Sequence, residues 1–277
     1  MTDTPLPYSP ANRLQPVGRF KLSSILAKSD AIAWLVPVLL LVFWQAASSL
    51  GFLAASILPS PAAVAAAGLR LTLSGELAAN VWISFLRAMA GLVVGGGLGF
   101  ILGFANGLSK LSEKLTDTTL QMVRNIPHLS LIPLVILWFG IEEEAKLFLV
   151  ALGVFFPIYL NTLHGIRNVD PQLVEMGRSY GLSTGALLRR VILPGALPSI
   201  LVGLRYGLGI MWLTLIVAET IAAQSGIGYM AMQAREFMQV DVVVFSVLIY
   251  AALGKLADST ARFLEYRCLN WHPAFQK

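Results

Sequence analysis

Charge is scarce in this chain: Asp, Glu, Lys and Arg make up 13% of its 277 residues, against 56% hydrophobic residues and a mean hydropathy of +0.72. Soluble domains carry about 25% charged residues, so this composition excludes a water-solvated globule and points to a bilayer. Cysteine is scarcer still. Cys268 stands alone, which excludes an internal disulfide and a cysteine-based metal site. His128 and His164 share no metal-ligand spacing and read as packing or interfacial groups, and no metal site is expected. No G-x-x-x-x-G-K-[ST] loop occurs, which excludes a P-loop ATPase. No nucleophile, general base and orienting group can be assembled from the few polar residues, so an enzyme is not expected.

What the chain does have is long apolar runs. A helical crossing needs roughly 20 mostly apolar residues. Ala31–Leu50, Ala88–Gly107, Leu129–Ile141, Ala145–Gly165, Ala196–Ala222 and Val240–Ala257 predict an all-α polytopic membrane protein of about six transmembrane helices. Pro127 and Pro133 interrupt the third, which is expected to be kinked and buried against protein. Residues 1–30 read as a polar N-terminal tail, and the first apolar run is too long and too far from the start for a cleaved signal peptide. Residues 31–80 read as the first span and a loop with a short interfacial helix, residues 81–265 as the transmembrane core, and residues 266–277 as a C-terminal tail.

Basic residues orient the chain. With the N-terminus inside, only Arg70, Arg87, Lys146 and Arg235 fall on the outer side and Arg205 falls within a span; the remaining Lys and Arg lie inside, in the tails and in the segments between spans. Both termini are therefore expected in the cytoplasm. The net charge of +5 is an orientation signal, and no nucleic-acid partner is expected.

Gly91, Gly95, Gly99, Gly103 and Gly107 line one face of the second span, and Gly195, Ser199, Gly203 and Gly207 repeat the four-residue spacing in the fifth. Small residues at that spacing predict close helix packing in lipid. Arg205 is expected some 13 Å into the fifth span, with Trp212 near the same face, as a candidate translocation-path pair for an anion; the alternative is an arginine paired with a backbone carbonyl or a carboxylate of another helix. Glu219, about 21 Å further along that helix, cannot pair with Arg205. Glu142, Glu143 and Glu144 read as a solvated acidic run, with docking of a partner as the alternative.

The most informative segment is Arg167–Pro194, RNVDPQLVEMGRSYGLSTGALLRRVILP. Asp170 suits an N-cap, Pro171 the first helical position and Gly181 the left-handed residue after a helix. Leu173, Met176 and Tyr180 then share one face, a stripe that water gives no reason to display. Ser183 or Thr184 can cap a second short helix, which Pro194 is expected to end.

Glu175, Gly181 six residues on, and Val191-Ile192-Leu193-Pro194 resemble the E-A-A, x3, G, x9, I-x-L-P loop of bacterial binding-protein-dependent ABC importer permeases. The motif's alanines are Met176 and Gly177 here, and its first isoleucine is Val191. The resemblance implies that the loop forms coupling helices docking on a separate cytoplasmic ATPase, which binds the ATP and magnesium, so that this chain holds no cofactor. It implies a homodimer of permeases, two ATPases and a periplasmic binding protein in an inner membrane. Beyond the loop, RNIPH running into LSLIPLVILWFGI, FPIYLNTLHGIRNVD from Phe156 and LRYGLGIMWLTLIVAETIAA from Leu204 are similar to the aliphatic sulfonate branch, whose relatives carry taurine, nitrate, bicarbonate or pyrimidine precursors. An ion-coupled secondary transporter is the competing class; six spans are few for it, and it would leave the capped amphipathic helix without a partner.

Overall fold

A computed structural model describes residues 35–271. The predicted N-terminal tail, the first residues of the first span and the last six residues of the C-terminal tail lie outside the described residues. Among the described residues every regular element is a helix.

Helix α1, Leu35–Ser49, lies wholly within the first predicted span; its fifteen described residues measure about 22 Å. It buries none of its residues fully, and its hydrogen bond to the rest comes from Gln45, whose Oε1 accepts from Ala62 N at 3.2 Å. Ala62 belongs to α2, Pro61–Leu73, capped by Ser60 with Pro61 at its first position. The short helix expected between the first two spans is thus formed.

The second span starts earlier than the sequence implied. Helix α3, Glu76–Gly91, runs through a π-turn at Leu92–Gly96 into α4, Gly97–Leu108, a continuous 33-residue rod. Arg87 therefore lies inside the helix, not on the outer side ahead of it. Its charge breaks the apolar run in sequence, and neutralising partners from elsewhere in the chain restore it in the fold.

The third span differs more. Helix α5, Lys110–Arg124, and α6, Ile132–Phe139, are joined by a short 3-10 turn at His128–Leu131, with an 80° bend between the two arms. Eight residues of α6 reach about 12 Å and cannot cross a bilayer alone, so any crossing here combines both arms. Nor is α6 buried: Ile132 and Val135 face protein while Leu137 is 79% exposed. Proline chemistry explains the break. Pro127 sits in the gap, and Pro133 occupies the first turn of α6, where a missing N–H costs nothing.

The centre is formed by α7, Glu143–Arg167, and the long helix α10. Between them lie α8, Pro171–Ser179, and the single turn α9, Thr184–Leu187; α9 continues through a π-turn at Leu188–Ile192 into α10, Leu193–Ala222. Helix α11, Ile227–Glu236, and α12, Val240–Cys268, complete the bundle. Among the described residues four rods are long and apolar enough to cross a membrane, and the bent α5–α6 pair, counted as one span, makes a fifth. The main core gathers Val150, Val154, Met211, Trp212, Leu215 and Ile227 from α7, α10 and α11.

The glycine face of the second span lies against α7. A Cβ added at Gly99 would come within 2.5 Å of Phe155 O, and one at Gly103 within 2.6 Å of Tyr159 O; one at Gly95 would meet the Ala151 backbone. Gly203 of α10 has the same relation to Pro157 and Asn161 on the opposite side of α7, and Gly207 packs on Ile158 and Val154. Gly97 has open space, which makes it a matched control. Gly99→Ala is expected to destabilise the protein by about 1–3 kcal/mol through overpacking, while Gly97→Ala is neutral or stabilising. Thermal unfolding of the two variants in detergent checks this; equal midpoints would refute the packing account.

Candidate functional site

Two polar structures occupy opposite ends of the bundle, linked by α10. The first follows the C-terminal end of α7. Asp170 caps α8, its carboxylate accepting from Gln172 N at 2.8 Å, and Pro171 takes the first position. The helix ends at Tyr180. Gly181 then adopts φ +75°, a conformation that favours glycine, and Leu182 N donates back to Gly177 O at 3.1 Å. Ser183 caps α9 by accepting from Ala186 N.

The outward face of α8 is apolar. Leu173, Met176 and Tyr180 are 46%, 50% and 80% exposed, and Glu175 beside them is also exposed. The inward face explains a departure from the loop pattern: Gly177 is buried, and a Cβ there would come within 2.7 Å of Leu187 Cδ1. Leu187 fills the space that an alanine methyl would need. Val191 is half-buried against the cluster of Ile166, Val169 and Ala196, whereas Leu193 is 36% exposed.

Pro194 does not end a helix. The chain from Thr184 runs unbroken into α10, because the π-turn at Leu188–Ile192 precedes the proline and Leu193 N donates to Leu188 O, one residue further back than in an α-helix. A π-turn accommodates the carbonyl displaced by a proline ring without ending the helix. Nearby, Arg167 at the end of α7 pairs with Glu113 of α5, which fastens the broken span to the loop end.

The second structure lies at the other end of α10. Glu219, its side chain fully buried, accepts from Arg87 Nη1 at 2.8 Å, Ser84 Oγ at 2.8 Å, Gly228 N at 3.0 Å and Tyr250 Oη at 3.0 Å. Arg87 also forks onto both oxygens of Glu143, each at 2.6 Å, and donates to Ser225 O and Oγ. Lys146 Nζ adds a contact to Glu143 at 3.0 Å. Two cations meet two carboxylates, so the cluster is neutral. It ties α3, α7, α10 and α12 to the turn before α11, where Gly226 at φ +104° leaves room for the Glu219 carboxylate.

Sequence reasoning missed this cluster. Arg87 was expected outside the span and Glu219 had no assigned partner; Glu143 is 54% exposed, as an acidic surface run implies, but also pairs with Arg87 and Lys146. The available signal was opposite charge, Arg87 against Glu219, in separate apolar runs: buried charge in a membrane protein is paired.

Arg205 and Trp212 are not brought together. Arg205 is held by Asp258 at 2.7 Å and Glu265 at 3.7 Å, both on α12, and it borders a groove of about 630 Å³ with Tyr206, Gly209, Leu213 and Asp258. Trp212 is buried and lines a separate apolar cavity of about 330 Å³ with Phe85, Leu208 and Leu256. Helix α12 crosses the face that they share on a helical wheel. The alternative role for Arg205, pairing with carboxylates of another helix, is the arrangement found.

Comparison with known proteins follows the same lines. Residues 95–269 match the family described as the binding-protein-dependent transport system inner membrane component. An aliphatic sulfonates transport permease protein, SsuC, of Escherichia coli K12 is 62% identical over 242 residues, covering 87% of this chain and 92% of that protein. The Bacillus subtilis 168 protein of the same name is 45% identical over 87% of this chain and 88% of its own length. The taurine transport system permease protein TauC of E. coli K12 is 37% identical over 86% and 88%. Among solved structures, an amino acid ABC transporter chain aligns at a TM-score of 0.54 with 17% identity, covering 70% of this chain and 97% of that one. A chain of the inward-facing MetNI methionine ABC transporter aligns at 0.51 with 16% identity, covering 71% and 97%. At such identity these two speak for the fold alone.

Proposed function

Since this chain belongs to the binding-protein-dependent transport system inner membrane components, we propose that it is the permease subunit of an ATP-driven importer whose cargo is an aliphatic sulfonate. The observation that carries the coupling role is α8, a capped helix that presents Leu173, Met176 and Tyr180 outward beside Glu175 and is closed by a left-handed Gly181. An apolar stripe on a short helix outside the membrane-spanning rods fits a groove on a soluble partner. That partner is a pair of cytoplasmic ATPases, which bind ATP and magnesium; this chain holds no cofactor of its own. The loop end then faces the cytoplasm together with both termini, and the Arg87–Glu219 end faces outward, where a binding protein delivers cargo. Two copies of the chain surround the path.

Helix α10 suits the transmission of a docking event. It starts at Leu193 and Pro194 beside the loop, and its residue Glu219 is locked into the opposite end. A rod of 30 residues, about 45 Å, spans the whole bundle, so a tilt imposed at one end moves the other. Sulfonate is favoured over taurine because the relatives named for sulfonates share more of the sequence than the relative named for taurine.

The test is ATP hydrolysis by the complete complex in lipid, with its binding protein loaded with an alkanesulfonate, taurine, nitrate or nothing. Stimulation by the alkanesulfonate-loaded protein alone is expected. Equal stimulation by another anion would keep the permease role and overturn the cargo; no ATPase co-purifying would overturn the importer itself.

A further inference from the structure

Arg124 ends α5 at the break in the third span, and its depth can be bracketed. Asn106 Nδ2, at the end of α4, donates to Tyr159 Oη at 3.0 Å and to Thr116 Oγ1 at 2.7 Å, so the middle of α5 lies level with Tyr159, about two turns from the end of α7. Beyond the break, His128 Nε2 is 3.1 Å from Thr214 Oγ1, and both lie against Gly153, about 15 Å along α7 from its start. Interpolation along the chain between these two contacts puts Arg124 near the middle of α7. Sequence counting had placed it on the cytoplasmic side.

A guanidinium at that depth cannot face hydrocarbon and must face water or protein. The buried Arg87 and Lys146, and the half-exposed Arg167 and Arg205, are matched by carboxylates. Arg124 is exposed and has no hydrogen-bond or ion-pair partner among the described residues. The backbone around it leaves the α-helical pattern: Asn125 N bonds to Met122 O and Ile126 N to Val123 O, three residues back. Irregular backbone at membrane depth is tolerated only inside protein or along a water-filled cavity.

The exposed surface of α5 leads to the same place. Lys114, Thr118, Gln121 and Asn125 recur at helical spacing and are all exposed, a polar stripe running from the loop end to the break. Leu111, Leu115 and Met122 form the adjoining apolar stripe. Gln121 Nε2 reaches Asp117 Oδ1 at 3.4 Å, so the nearest acid on α5 is directed to glutamine.

We propose that Arg124, at the head of this polar stripe, is the station that holds the anionic head group of the cargo midway across the membrane. The chemistry suits a sulfonate: a planar guanidinium can donate two parallel hydrogen bonds to two of its three oxygens. Arg205, already paired with Asp258 and Glu265, has less charge to offer an anion. The proposal rests on the importer reading and deepens it.

The experiment uses the complete importer in proteoliposomes, with uptake of labelled ethanesulfonate as readout. Arg124→Gln is expected to lower the initial rate about tenfold or more, the factor for losing one hydrogen bond to a charged group. Arg124→Lys, which keeps the charge, should recover part of the loss. Wild-type rates in Arg124→Gln, or no recovery in Arg124→Lys, overturn the proposal. An independent arm keeps Arg124 and places Gln121→Cys, one turn back on the same exposed stripe, in a Cys268→Ala background for labelling with sulfonatoethyl methanethiosulfonate. Labelling that saturating ethanesulfonate slows supports the station even where Arg124→Gln fails to assemble; labelling that ethanesulfonate leaves unchanged, or no labelling, overturns it. Absence of sulfonate uptake by the unmodified complex would instead remove the cargo reading, while labelling still reports whether the stripe meets water.

Discussion

Glu219→Ala is expected to destabilise the protein by about 3–5 kcal/mol, the range for removing one partner of a buried ion pair. The carboxylate is the common acceptor for Arg87 Nη1, Ser84 Oγ, Gly228 N and Tyr250 Oη, and its side chain is fully buried. Alanine leaves Ser84, Gly228 and Tyr250 without this buried acceptor, while Arg87 Nη1 keeps only Ser225 O and the arginine only Glu143 as a charged partner. Glu219→Gln should cost less, because an amide oxygen still accepts from two of the donors and the fork from Arg87 to Glu143 survives. Arg87→Ala should match Glu219→Ala in severity, since it leaves both carboxylates with less compensation, and the double variant should fall well short of the sum. Thermal unfolding and purification yield in detergent measure the series. A Glu219→Ala protein within about 0.5 kcal/mol of the parent would mean that the cluster is ornamental, the size of an ordinary surface change.

This cluster also marks where the sequence stops being legible. Apolar length alone located the cores of the rods around α4, α7, α10 and α12, because a bilayer admits few alternatives. The capping residues of α8 were readable one by one, since Asp170, Pro171 and Gly181 act through local backbone chemistry. Arg87 and Glu219 lie 132 positions apart, and no local rule pairs them. Misplacing Arg87 in turn hid the first twelve residues of the second span. The same limit applies at Pro194, where a proline reads as a stop signal and the π-turn that absorbs it depends on the path α10 must take. Pro127 was recognised as a disturbance, but the size of the bend was not.

Met176→Asp combined with Tyr180→Asp is expected to abolish co-purification of the ATPase while leaving the unfolding midpoint of the permease unchanged. Both side chains are at least half exposed, at 50% and 80%, so little internal packing is lost. Central apolar anchors of an interface commonly contribute about 2–4 kcal/mol each, and two introduced carboxylates add desolvation. Loss of even 2.7 kcal/mol weakens the complex about a hundredfold, enough to dissociate it during purification. Gly181→Val reaches the same interface by another route. At φ +75° a β-branched residue is strained by about 1–3 kcal/mol, so α8 should lose its fixed end and the docking stripe its position. The two variants separate contact from presentation: the double aspartate removes the surface, and the valine removes its support. Transport should fail in both, with a lowered melting midpoint only for Gly181→Val. An ATPase that still binds the double aspartate variant in full yield would place the docking surface elsewhere and leave the exposed stripe on α8 without a partner.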